Sequence, residues 1–150
     1  MNQRILVTGA AGFIGSHVTQ KLLQNGDSVV ALCKYSSSGS HGFLNNLDDP
    51  KLKIVLGDIT DTELFRGLCS DVDLVINLAA LIGIPYSYQA PRSYMNVNLG
   101  GTLNILEAIK NRSTKLIQLS TSEVYGTPKS IPITLDHSIN PQSPYAASKV

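Results

Sequence analysis

The sequence predicts an α/β fold, a doubly wound parallel sheet flanked by helices, and two observations carry that expectation. Short runs rich in β-branched and apolar residues alternate with stretches of helical periodicity along the 150-residue chain. The runs are apolar throughout rather than at every second position, the pattern of strands buried on both faces. Parallel neighbours need crossover connections, and the right-handed crossover rule leaves the doubly wound sheet as the simplest topology. The length suits about one domain.

The elements follow in order. Arg4 to Thr8 (RILVT) reads as a first strand that stops at Gly9. Phe13, Ile14, Val18, Leu22 and Leu23 recur at helical spacing up to Asn25-Gly26, a helix stop. Ser28 to Cys33 and Lys53 to Leu56 repeat the strand signal, with the Ser/Gly-rich stretch Ser36 to Gly42 between them, taken as part of a βα connection. Further strands are expected at Leu74 to Leu78 and Leu116 to Leu119, and helices at Asp61 to Cys69 and Ser93 to Lys110. Pro144 to Val150 begins a helix with Ser143 as its cap and Pro144 in its first turn. So short a helix is not stable alone, so either the tail frays or the sequence is an amino-terminal part of something longer.

Composition excludes several classes. With 12 Lys+Arg against 11 Asp+Glu, a net charge of +1 and 15% charged residues, the chain has no electrostatic footprint for nucleic acid or an anionic membrane surface. Cys33 and Cys69 lack CxxC spacing, so no disulfide framework or metal site is expected, and a reducing cytoplasm is the simpler setting. The N-terminal stretch lacks the regions of an export signal, and no 18-residue apolar run occurs, so a cytoplasmic protein that does not span a membrane is expected.

Gly9-Ala10-Ala11-Gly12-Phe13-Ile14-Gly15 spells GxxGxxG between the first strand and the first helix. Side chains at the first two glycines would hold a pyrophosphate away from the backbone, the third lets helix and strand approach, and free N–H groups at the helix start face the anion. A tight turn without a ligand is the bland alternative. The acid that would hold a ribose 2′-hydroxyl is expected about 20 residues on, where the chain has Cys33 followed by Lys34. Lys34 could contact a 2′-phosphate, which favours NADP over NAD, or it could be a solvated lysine. Asp58, in Gly57-Asp58-Ile59, could accept from an adenine amino group or serve as a helix N-terminal charge, a role that Asp61 fills more naturally.

Ser120-Thr121-Ser122-Glu123-Val124-Tyr125-Gly126 follows the fifth strand, at the end where open α/β sheets place ligands. Tyr145 and Lys149 are spaced to share one face of the last helix. An ammonium near a phenol stabilises the phenolate, which makes tyrosine a usable acid or base, although YxxxK is also a common surface pair.

In TGAAGFIGSH, GDITD, NLAA, NVNLGGT, STSEVYG and PYAASK, in that order along the whole chain, the sequence resembles the extended short-chain dehydrogenase/reductases, in particular the nucleotide-sugar epimerases and dehydratases. The resemblance implies a Rossmann-type domain that binds NAD or NADP through Gly9, Gly12, Phe13, Ile14, Gly15, Lys34, Asp58, Ile59, Leu78, Ala79 and Ala80. It implies that Asn98 supports the strand ends near the active site and also contacts the cofactor. Tyr145 is then the catalytic base, Lys149 holds the nicotinamide ribose, and Thr121, Ser122 and Glu123 contact the sugar.

Within that family ALIGIPYSYQAP and STSEVYG look most like bacterial 4,6-dehydratases acting on UDP-N-acetylhexosamines, and GDP-mannose 4,6-dehydratases are also similar at STSE. The resemblance implies a lyase of polysaccharide biosynthesis, a homodimer as the full-length protein. Residues 1–150 would be its NAD(P)-binding part, without the downstream substrate-binding region. A UDP-uronic acid decarboxylase, a UDP-sugar 4-epimerase and a catalytically silent NAD(P)-binding module remain the alternatives. Two departures stand out: Ser122-Glu123 replaces the Asp-Glu of many dehydratases, and Asn77 stands where His is frequent, a change expected to affect packing rather than chemistry.

Overall fold

A computed structural model describes residues 2–150. Its strands are β1 (Arg4–Thr8), β2 (Ser28–Lys34), β3 (Leu52–Gly57), β4 (Leu74–Asn77) and β5 (Lys115–Gln118). They form one parallel sheet in the order β3-β2-β1-β4-β5, the doubly wound arrangement expected from the sequence. Val7 of β1 pairs with Ala31 on one side and Ile76 on the other. The chain order reverses at β1, so the crevice beyond the carboxyl ends of β1 and β4 is the topological switch point, where such sheets bind ligands.

The helices are α1 (Phe13–Gln24), α2 (Thr62–Leu68), α3 (Ile84–Gln89), α4 (Pro91–Tyr94), α5 (Gly101–Ile109) and α6 (Pro144–Ala147). The chain divides into two compact units. One holds residues up to Ala79 together with Gly101–Leu119; the other holds Ala80–Gly100 with Ser120–Val150. The first contains the sheet, α1, α2 and α5, and its core is built from Ile5, Val7, Val29, Ala31, Leu44 and Ile76. The second contains α3, α4 and α6. No helix among the described residues is long and apolar enough to cross a membrane.

Three local expectations are corrected, and one helix lies outside all of them. The expected helix over 93–110 begins at Pro91 and is interrupted by a π-helical turn at Met95–Gly100. No helical periodicity announced α3, whose proline stands at its start. The connection from β2 to β3 carries only a 3-10 turn at Gly42–Leu44 instead of a helix, and Leu44, 1% exposed, supplies the apolar cover there. In α1 the expected stripe holds at Leu23, which is buried, and at Val18 and Leu22, which pack against the core, but Phe13 and Ile14 lie in the open while Gly15, Ser16 and Thr19 are buried. Small residues let the helix start lie close to the turn, so close approach decides which residues are inside in its first turns.

Caps behave as their chemistry predicts. The Asp61 carboxylate accepts from the Leu64 N–H at 3.1 Å and starts α2, and the Ser143 hydroxyl accepts from the Ala146 N–H at 3.0 Å and starts α6. At the sheet edge Ile117 of β5 and Leu119 just beyond it are exposed, unlike the buried inner strands.

Candidate functional site

In the sheet-bearing unit, β1 ends at Thr8 and the chain turns at Gly9 with φ +65°, a left-handed conformation that favours glycine. A Cβ there would also lie 2.8 Å from the Ala79 nitrogen at the end of β4. A Cβ on Gly15 would overlap the Gly9 carbonyl oxygen and come within 2.8 Å of the Ala10 Cα. Both glycines are therefore demanded by the protein's own packing.

Gly12 differs. Its φ of −77° suits any residue, and the nearest atom to a Cβ would be the Gly9 oxygen at 3.3 Å. The backbone conformation does not require glycine there, and a Cβ would be tight against the Gly9 oxygen without overlapping it, so Gly12 is less constrained from within than Gly9 or Gly15 and leaves the turn open to close approach by a ligand. Gly12 donates its N–H to the Gly9 carbonyl at 3.1 Å and is the N-cap of α1. Beyond it the N–H groups of Phe13 and Ile14 belong to the first helical turn, which has no intrahelical acceptors, and such groups bind phosphate. The turn thus fits the pyrophosphate of a dinucleotide.

At the carboxyl ends of β1 and β4, the Thr8 hydroxyl donates to Asn77 Oδ1 and accepts from the N–H groups of Leu78 at 3.2 Å and Ala79 at 3.1 Å. Asn77, 1% exposed, passes its amide hydrogens to Gln118 Oε1 at 2.8 Å and Thr102 Oγ1 at 3.4 Å. Sequence reasoning missed Thr8 and Gln118, which show no signal until β1, β4 and β5 lie side by side. Asn77 is thus a buried hydrogen-bond hub that joins β1, β4 and β5.

At the far ends of β2 and β3 the ammonium of Lys34 and the carboxylate of Asp58 approach to 3.4 Å. The Thr60 N–H, its hydroxyl and Lys34 hold the Asp58 carboxyl below its usual pKa range against the opposing effect of burial, the Thr60 N–H contributing most. Two candidates read separately are thus partners of each other. Cys33 is fully buried, and burial raises its thiol pKa. The Ile59 side chain lies against Gly101 at the start of α5, and its carbonyl accepts from Asn104 at 3.0 Å.

In the second unit, α6 carries Tyr145, which is buried and meets the Tyr94 ring edge-on with centroids 6.3 Å apart. The helix ends at Ala147, so Lys149 lies in the closing turn and not on a shared helical face; its N–H donates to the Ala146 carbonyl at 3.0 Å. Its carbonyl accepts from the Ser120 hydroxyl at 3.1 Å, and burial lowers the pKa of its ammonium. Asn98, within the π-helical turn, donates to the Ser148 hydroxyl at 2.8 Å and to the Leu81 carbonyl at 3.0 Å, and accepts from the Leu81 N–H at 2.9 Å. Ser148 in turn donates to the Tyr145 carbonyl at 2.7 Å. Asn98 therefore clasps the segment after Ala80 and, through Ser148, the end of α6. Thr121 caps the 3-10 turn Ser122–Tyr125 by accepting from the Glu123 N–H at 3.3 Å, and Ser122 and Glu123 are exposed. That turn packs on α6.

Residues 6–150 match the family model described as GDP-mannose 4,6 dehydratase. The chain is 40% identical over 148 residues to a putative UDP-glucose 4-epimerase of Methanocaldococcus jannaschii, covering 97% of this chain and 47% of that protein. Among solved structures, the dTDP-glucose 4,6-dehydratase DesIV of Streptomyces venezuelae, with NAD bound, superposes with a TM-score of 0.88 at 35% identity, over 97% of this chain and 48% of that one. A UDP-N-acetylglucosamine 4-epimerase of Methanobrevibacter ruminantium, in complex with UDP-N-acetylmuramic acid, gives 0.87 at 34% identity, over 99% and 47%. The chain spans about half the length of the relatives it matches. A glycine turn at the switch point, the sheet order and a match along nearly the whole chain agree, and the chain belongs to the nucleotide-sugar epimerase and dehydratase family of the extended short-chain dehydrogenase/reductases.

Proposed function

We propose that this chain is the NAD(P)-binding part of a nucleotide-sugar 4,6-dehydratase, with UDP-N-acetylhexosamine as the sugar nucleotide, and that further chain carries the rest of the substrate site. The observation that supports dinucleotide binding is the glycine-rich turn itself, with Gly12 as the N-cap of a helix that starts at the switch point. The family's order of motifs extends the reading to the chemistry.

A bound nicotinamide would supply reversible hydride chemistry. Gly9, Gly12, Phe13, Ile14, Gly15, Leu78, Ala79 and Ala80 would hold the cofactor, with Asp58 and Ile59 at its adenine end, Lys34 at the adenine ribose, and Asn98 and Lys149 towards the nicotinamide. Tyr145 takes the proton of the sugar 4-hydroxyl, and the raised acidity beside the resulting ketone lets Glu123 remove the C5 proton. Ser122, Thr121 or the newly protonated Glu123 assists the departure of water from C6. Glu123 is exposed and free to reach a sugar, which supports this role.

The 4-epimerase is the second reading, favoured by the epimerases among the relatives; it uses Tyr145 and Lys149 but leaves Glu123 without a proton to remove. Glu123→Gln in the full-length protein separates the two. For a dehydratase, the variant binds NAD normally and still oxidises the sugar at C4. It loses exchange of the C5 hydrogen with deuterated water and loses a hundredfold to ten-thousandfold in rate, roughly the usual general-base contribution. Unchanged exchange, or a 4-epimer from UDP-N-acetylglucosamine with no 4-keto-6-deoxy product by NMR, would overturn the dehydratase reading.

A further inference from the structure

We infer that Gly42 is a positioning residue for the dinucleotide: it seats the connection between β2 and β3 on the Ala11 carbonyl and thereby holds the glycine-rich turn in its phosphate-binding form. The inference rests on the reading of that turn as a dinucleotide site.

Gly42 has φ +60°, and a Cβ built on it would overlap the Ala11 carbonyl oxygen and lie 3.2 Å from the Ala11 Cβ. The next residue, Phe43, donates its N–H to that same oxygen at 3.2 Å. Ala11 is thus met by a backbone that can come so close only because residue 42 has no side chain. A peptide group is planar, so holding the Ala11 oxygen also holds the direction of the Gly12 N–H, whose bond to the Gly9 carbonyl at 3.1 Å closes the turn. From the other side, the Ala10 N–H donates to the Leu32 carbonyl at 3.3 Å, which ties the turn to the end of β2.

The connection is built to keep its place. The Ser40 hydroxyl accepts from the Gly42 N–H and from the Asn45 amide, both at 3.1 Å, and Asn45 Oδ1 accepts from the His41 N–H at 2.7 Å. Leu44, 1% exposed, anchors the 3-10 turn in the core beside Ala10 and Ala11. The rings of Phe43 and Phe13 meet edge to face with centroids 6.2 Å apart.

The same connection holds its own control. Gly39 has a similar φ of +67°, yet nothing lies within 4 Å of where its Cβ would be. Alanine at either position meets the same backbone strain, and only at 42 does it meet Ala11. Calorimetric titration of the full-length protein with NAD, ADP and adenosine tests the inference. Gly42→Ala is expected to weaken NAD and ADP by about tenfold, equivalent to about 1.4 kcal/mol, and to leave adenosine, which has no phosphate, within about twofold. Gly39→Ala is expected to leave all of them near wild type. Wild-type NAD affinity in Gly42→Ala, equal losses in Gly39→Ala, or equal losses for adenosine and ADP would each overturn the role. If Gly42→Ala does not fold, Asn45→Ala, which loosens the brace without touching Ala11, must show the same pattern, and unchanged NAD affinity there overturns it. Wild-type protein that binds neither NAD nor ADP would instead overturn the dinucleotide reading itself.

Discussion

Gly12 and Gly15 stand in one turn and are glycine for different reasons, and alanine separates them. At Gly12 the added methyl meets only the Gly9 oxygen at 3.3 Å, and alanine is a weaker N-cap than glycine, so Gly12→Ala should cost about 1 kcal/mol in urea unfolding. At Gly15 the methyl drives into the Gly9 backbone, and the cost should be about 3 kcal/mol, the upper range for overpacking. NAD affinity should order the other way once normalised to folded protein, with Gly12→Ala losing more than Gly15→Ala; equal losses would remove the argument for a ligand at Gly12. Lys34 raises a similar question of purpose. Its ammonium is paired with Asp58 but largely exposed, and an exposed pair is worth little to stability. In the proposed NADP contact that ammonium would meet the 2′-phosphate, where a charge-assisted bond contributes about 1.5 to 3 kcal/mol. Lys34→Ala should therefore weaken NADP more than NAD with almost no change in melting temperature. A NAD preference that the substitution leaves untouched would rule out the proposed NADP contact.

Helix boundaries in this chain follow local chemistry where a cap exists and follow tertiary contacts where none does. Asp61 and Ser143 start α2 and α6 at the residues their side chains predict. By contrast, α3 is short, has no side-chain cap, and is flanked by Gly83, whose carbonyl accepts from the buried Tyr94 hydroxyl at 2.6 Å. The π-helical turn at Met95–Gly100 contains Asn98, whose amide is shared between Leu81 and Ser148. π-Turns inside helices are costly and recur at functional sites, and here the wider turn carries the side chain that braces α6. Ser148→Ala removes the acceptor that Asn98 uses and the donor to the Tyr145 carbonyl in a buried setting. It should destabilise the protein by about 1 to 3 kcal/mol, read as a lower urea midpoint, whereas Ser148→Thr, which keeps the hydroxyl, should recover part of that loss. An unchanged midpoint in Ser148→Ala would mean the network contributes no net stability.

Across the whole molecule both thiols are free and buried. Burial raises the Cys69 pKa from 9.0 to about 11, opposed by the Arg112 charge. A group raised in the folded state favours folding below its unfolded pKa, and that contribution is lost as pH rises towards the folded value. Stability should therefore fall between pH 9 and about 11, and Cys69→Ala should flatten that part of the urea-midpoint profile. Ellman's reagent at pH 8 should label neither thiol until the protein unfolds; rapid labelling of the native protein would contradict the burial.

The sequence by itself determined the strands, the glycine-rich turn and the starts of α2 and α6 at Asp61 and Ser143. Each depends on neighbours within a few residues: continuous apolar runs encode burial on both faces, and a cap needs only its own first turn. From the strands and the crossover rule the sheet was legible as well. The candidate site was legible as residue types, since Gly9, Gly12, Gly15, Glu123, Tyr145 and Lys149 stand in motifs whose order can be read along the chain. Only the tertiary structure decided that α1 buries Gly15, Ser16 and Thr19 in place of Phe13 and Ile14, because that choice depends on how closely the helix meets the turn beneath it. It also decided that Lys34 pairs with Asp58, that Thr8 and Gln118 meet at Asn77, and that Gly42 rests on Ala11. These partners are far apart in sequence, and periodicity records which side of an element a residue occupies, not which distant residue will face it.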